Sequence, residues 1–192
     1  VYADITMKFT ANSSGTLSGL FFRKASQAEG KSIFVDKIDV FTQNGSDSAK
    51  AVGINNWYYS TVGDIIGLSE DSFITAITNG GNDSIGIWNQ VDAQMGSISN
   101  LKITASGGKS NTYAIRNDSD TTIGDISNVV LEAKDSVYAY GINSEYTAIG
   151  NLNNVTIEAS STNNAYGIYS AGIGNINGMT VNVESSSSAT GL

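Results

Sequence analysis

Two glutamates, Glu132 and Glu158, stand 26 residues apart in the strand-like stretches VVLEAK and VTIEAS. If those stretches lie one above the other in a sheet, the carboxylates are about 5 Å apart, the separation used by a retaining glycosidase pair. Asp39 and Glu184 are read on the same outward face. Three observations weigh against catalysis. Lys134 sits one pleat from Glu132, so a solvated, charge-balanced surface explains the pair equally well. The chain has no His, which removes the commonest general base and any partner to activate a serine. The only arginines, Arg23 and Arg116, are distant in sequence, and no acidic cluster joins them.

A second set of residues is suited to recognition and not to reaction. Phe21, Asn55, Trp88, Arg116, Asn143 and Tyr169 occur at corresponding places along the chain, and Trp57-Tyr58-Tyr59 and Tyr146 lie just beyond two of them. Their neighbours are mostly Gly or Ala, so the rings are expected to stand above a floor of small residues. Aromatic rings on such a floor stack on sugars or accept a partner chain. The candidate ligand-binding residues are therefore Phe21, Trp57, Tyr58, Tyr59, Trp88, Arg116 and Tyr169. The competing reading packs the same rings against their own loops in the first three repeats, which are the longest.

The element that must position both sets is a repeat. A small residue followed by Ile or Leu recurs at Gly19, Gly53, Gly86, Ala114, Gly141, Gly167 and Gly191, at intervals of 34, 33, 28, 27, 26 and 24 residues. A second anchor reads Val62-Gly63-Asp64-Ile65, Met95-Gly96-Ser97-Ile98, Ile123-Gly124-Asp125-Ile126, Ile149-Gly150-Asn151-Leu152 and Ile173-Gly174-Asn175-Ile176, with Val35 as the earlier match. A third is an alternating strand at Ile5–Phe9, Ile38–Val40, Leu101–Ile103, Val129–Leu131, Val155–Ile157 and Met179–Val181; Phe73–Ile77 supplies a member of undetermined register. Each unit thus holds three short strands, too few to bury a face except by stacking on copies of itself. The expected fold is all-β: a right-handed parallel β-helix of about seven coils, the end coils partial.

In this register Ile54, Ile87, Ile115, Ile142 and Ile168 point inward. Asn56, Asn89 and Asn117 share their phase and are expected to bond from coil to coil inside a turn. Asn100, Asn128 and Asn154 form a second turn row. Tyr113, Tyr140 and Tyr166 carry the inward phase as well, which predicts a core or core-edge stack. The outward row of the third strand reads Thr6, Asp39, Lys102, Val130, Thr156 and Thr180, too broken by charge for a flat threonine face.

Composition narrows the partners. The formal charge is −8, from 18 acids and 10 bases, with no basic stripe, so no nucleic-acid partner is expected. No apolar run approaches the length of a membrane helix, and no membrane insertion by this segment is expected. Cys, His and Pro are all absent, and neither a metal nor a cofactor site is read.

Repeats written as IGNLNNVTIEAS and AYGIYS, in a chain of this composition, resemble the β-helical passenger regions of bacterial autotransporters and related surface adhesins. The resemblance spans the whole chain and rests on repeat style. It implies export to the outer-membrane surface and a structural or adhesive role toward a host glycan or protein. The alternative is a segment of a carbohydrate-active β-helix enzyme or a glycan-binding module. Pectin hydrolases of that fold carry a Gly-His-Gly stretch and an Arg-Ile-Lys, and neither occurs here. The repeat opens in a third strand at Asp4-Ile5-Thr6-Met7 and breaks off at Gly191-Leu192. We therefore expect residues 1–192 to form one β-helical domain cut from a longer solenoid. Its open ends, Ile5, Met7 and Phe9 on one side and Met179, Val181 and Val183 on the other, should associate with further copies.

Overall fold

The computed structural model describes residues 1–10, 15–24, 30–43 and 48–192, and of these all side chains but those at 6–10, 43 and 171. The described chain is all-β, without helix, and its strand pairs are parallel. Each pairing joins one repeat to the next, the arrangement of a β-helix-like stack. Parallel pairing buries apolar side chains in rows, because equivalent residues of successive repeats lie about 4.8 Å apart.

Three rows build the core. Leu20, Ile54, Ile87, Ile115, Ile142 and Ile168 pair in succession. A second row runs Ile33, Ile65, Ile98, Ile126, Leu152 and Ile176. The third runs Ile5, Ile38, Ile74, Ile103, Leu131, Ile157 and Val181. Most of these side chains are completely buried in one continuous cluster. Each contributes about 1.5–3 kcal/mol by leaving water. β-branched residues suit this role, since their stiff side chains pack on a pleated surface with little entropy to lose.

The first row is inward, as its spacing predicts, but two registers differ from those expected. Val35 pairs with Gly67, and the residue level with Ile65 is Ile33. Phe73–Ile77 takes a definite register, with Ile38 level with Ile74 and Ile74 level with Ile103. Leu101 is thus one pleat away from the place of Ile38, and the outward row reads Asp39, Thr75, Thr104, Glu132, Glu158 and Asn182. The cause is an insertion. Five residues lead from Ile33 to Ile38 and from Ile98 to Ile103, but nine from Ile65 to Ile74, and the surplus forms an exposed turn around Leu68–Asp71 closed by Ser72 N–H donating to the Ser69 carbonyl. A surface turn costs little in loop closure, so the period stretches without disturbing the rows. Of the expected rows, the side chains of Thr6, Met7 and Phe9 lie outside the described ones.

Two corners shape the cross-section. At the first, strand pairing skips the small anchor residue from repeat to repeat. A Cβ built on Gly53 would strike Ile74 Cγ2 and the Gly86 carbonyl oxygen, and one on Gly86 would strike Ile103 Cγ2. The anchor therefore faces the core, where it makes room for the opposite isoleucine row. At the second corner Asn100, Asn128 and Asn154 adopt φ of 56°, 53° and 54°, and Gly178 follows at 69°. Asn and Gly tolerate this left-handed conformation best. The amides also bond between repeats, Asn128 Nδ2 donating to Asn100 Oδ1 at 3.3 Å and Asn154 Nδ2 to Asn128 Oδ1 at 2.9 Å.

Candidate functional site

The outward aromatic row is held by what lies beneath it. One residue past that row, Asn56 Nδ2 donates to Asn89 Oδ1 at 2.8 Å, Asn89 Nδ2 to Asn117 Oδ1 at 2.9 Å, and Asn117 Nδ2 to Ser144 Oγ at 3.2 Å. The same amides reach backbone carbonyls across the turn, at Gln94 and Thr122. All four residues are buried. A buried amide with its partners supplied fixes the turn rigidly, because every alternative leaves a polar group unpaired. The amides are structural, as read from the sequence.

Above this base, Phe21, Asn55, Trp88, Arg116, Asn143 and Tyr169 pair in succession, so the expected row exists. It is not one patch. Asp118 accepts from Trp88 Nε1 at 2.9 Å through one oxygen and from Arg116 Nε at 2.8 Å through the other. The Arg116 guanidinium lies 5.0 Å over the Trp88 ring and 5.1 Å over the Tyr113 ring. These interlocked side chains divide the face into two grooves.

Phe21, Trp57 and Trp88 line one groove of about 590 Å³, together with Leu17, Asn55 and Gln90. Arg116 and Tyr169 line the other, of about 690 Å³, with Tyr113, Tyr140, Tyr146 and Tyr166. Tyr58 and Tyr59 lie outside the described linings, on a left-handed turn at φ 58° and 56°. Both are exposed, as are Phe21 and Tyr169, while Trp57 and Trp88 are half-buried. Arg23 covers the Trp57 ring at 5.2 Å and Lys24 the Tyr59 ring at 5.3 Å. Intramolecular packing and exposure thus coexist residue by residue.

No protein-family model, no curated protein and no solved structure matches this chain.

The expected tyrosine stack lies at the core edge. Tyr113, Tyr140 and Tyr166 stack face to face, with centroids 4.9 and 5.0 Å apart. Tyr113 clusters with Val52 and Ile85, apart from the main core that holds Ile115 two residues later. The anchor corner is the reason: with Ala114 turned toward the core, simple alternation does not carry across it. The small residues read as an outward floor therefore face inward. Burial, opposed by Arg116, raises the Tyr113 phenol far above its ordinary value. Burial raises Tyr140 too, reinforced by Tyr166 and Tyr169. Tyr146 is raised chiefly by its hydrogen bond to Glu145, and Tyr59 chiefly by its bond to Asp92. These shifts keep the Tyr113, Tyr140 and Tyr146 phenols of the groove protonated at neutral pH.

Glu132 and Glu158 are level, as expected. Lys102 Nζ lies 2.6 Å from Glu132 Oε1, Thr104 Oγ1 donates to Oε2 at 3.1 Å, and Lys134 Nζ stands 3.8 Å away. Partial burial pushes the Glu132 pKa up, but the Lys102 and Thr104 hydrogen bonds and the two lysine charges outweigh it and leave the carboxyl below its ordinary value. That arrangement holds Glu132 ionised in a charge-balanced surface. Asp39 is level with Thr75, and Glu184 with Ser160, so neither joins the pair.

Proposed function

We propose that the chain is a length of right-handed parallel β-helix, about seven coils with partial end coils, serving as a structural and adhesive passenger region at a bacterial outer-membrane surface. Its outward aromatic face presents side chains to a host or matrix ligand, a glycan or a protein. The observation that carries the reading is the exposure of Phe21, Tyr58, Tyr59 and Tyr169 beside two grooves on a rigid amide-bonded base. Large apolar groups standing in solvent on a solenoid mark a recognition surface more readily than a reactive one. Right-handedness rests on the usual sense of parallel crossovers. Export rests on repeat style and on a composition free of Cys.

Association of copies through the stack ends belongs to the same proposal. Among the described residues Ile176–Ser185 pairs with Leu152–Ile173 alone, and Ile176 is 42% exposed. A free strand edge pairs readily with another chain. Display of the chain on a non-adherent bacterium tests the adhesive role. Attachment to matrix-coated surfaces should appear, and should fall when Phe21, Tyr58, Tyr59 and Tyr169 are all replaced by Ala. Attachment no greater than that of undecorated cells overturns the reading.

A further inference from the structure

The larger groove carries two columns side by side along the stacking direction. One is the tyrosine stack. The other is acidic: Asp92, then Asp118 and Asp120, then Glu145, contributed by the turns that follow the level residues Asn89, Asn117 and Ser144. The tyrosines are spaced by 4.9 and 5.0 Å, close to the distance between stacked strands.

The charges in this groove do not balance. Arg116 is engaged with Asp118. Lys50 pairs with Asp83, and Lys102 and Lys134 with Glu132, and Asp92, Asp120 and Glu145 stand outside these pairs. Asp120 and Glu145 are exposed and Asp92 is half-buried. Asp92 accepts a hydrogen bond from the Tyr59 phenol and Glu145 from the Tyr146 phenol, and both phenols are raised by it. The stacked tyrosines cover one another's faces and offer edges and hydroxyl oxygens. A sugar ring needs an open ring face to lie on, whereas a cation flanked by methylenes can sit between phenol oxygens and carboxylates.

We infer that this groove docks a basic, extended peptide segment of a partner protein, with lysine or arginine side chains seated between the two columns. The inference rests on the adhesive reading and narrows its ligand. In an extended segment, side chains on one face recur about every 6.8 Å, so a groove spanning the turns from Asp92 to Tyr169, roughly 14 Å, receives two or three of them.

Calorimetric titration with hexalysine, and separately with the neutral oligosaccharide cellohexaose, tests this. The groove variant carries Asp92→Asn, Asp120→Asn and Glu145→Gln. Asp92 and Asp120 have φ of 59° and 61°, a conformation Asn adopts readily, so the turns are retained. The control variant, Glu70→Gln, Asp71→Asn and Glu158→Gln, removes the same charge from exposed positions elsewhere. Expected are saturable hexalysine binding by the wild type and the control, a loss of about tenfold or more in the groove variant, and weakening with added salt. Absence of binding, or equal losses in the two variants, overturns the inference. Binding of cellohexaose without hexalysine also overturns it but leaves the adhesive reading intact. Hexalysine binding by a chain that fails to attach displayed cells defeats only the adhesive reading.

Discussion

The two grooves flank one strand row and differ in charge. The N-terminal one is lined by uncharged residues, with Arg23 over the Trp57 ring and the ion-paired Lys50 over that of Trp88. On the C-terminal side the aromatic column borders carboxylates, and Arg116 is its one cation among the described lining residues. Beneath them the same column changes character along the stack. Val52 and Ile85, the levels that follow Ser18, are fully buried, whereas Tyr140 and Tyr166 are half-buried at the groove. The repeats shorten from 34 to 24 residues in the same direction. The lesson is that a solenoid keeps its frame constant and places variation on its outside, so neighbouring repeats acquire different surfaces without any change of fold.

The sharpest break of the comparison removes what the grooves share. Ile87→Asp or Ile142→Asp should cost several kcal/mol in denaturant unfolding, since each puts an unpaired charge into a dry row. Asn143→Asp, half-buried on the outward row, should cost far less. Equal losses would show that the two faces have been exchanged, as a one-residue slip does.

A smaller effect should separate the base from the surface. Asn89→Ala takes one amide partner each from Asn56 and Asn117 and should cost about 1–3 kcal/mol, with both grooves loosened. Asp118→Ala removes only the divider between them. It should cost about 1–2 kcal/mol and raise acrylamide quenching of Trp88 while leaving Trp57 unaltered, measured in single-tryptophan backgrounds. Matching changes at both tryptophans would mean that the grooves are one site.

The smallest effects are in pH. Tyr113 has a raised pKa in the folded state, so its stabilising contribution is complete below the ordinary phenol value of 10.0 and is lost as pH rises beyond it, where the unfolded state ionises first. Tyr113→Phe should flatten that alkaline fall in melting temperature. Glu132 has a lowered pKa, so its contribution is complete above the ordinary value of 4.5 and is lost as pH falls through the folded value. Glu132→Gln should flatten the acid limb slightly, because the pair is partly exposed.

Much of the frame could be read directly. The Gly–Ile anchor, the inward isoleucine row and the Asn56–Asn89–Asn117 amides all emerge from periodicity, since stacked copies must repeat whatever fills the core. The exchange of Val35 for Ile33, and the register of Phe73–Ile77, could not. An insertion placed in a surface turn leaves no periodic trace of where it begins. Periodicity placed the tyrosine column at the core or its edge, and left open which, because strand alternation holds only while the chain runs straight.

The sequence by itself determined the repeat, the three strand rows and the aromatic and charged residues available to the surface. Tertiary structure alone decided which of those residues meet. The anchor corner turned Tyr113, Tyr140 and Tyr166 outward, and Asp118 joined Trp88 to Arg116 across 30 and 2 residues of sequence. Stacking converts equal spacing into contact, but the corner between stacked strands sets the direction in which each contact faces. That direction depends on a few dihedral angles and on how closely Gly86 and Ile103 approach, neither of which follows from periodicity.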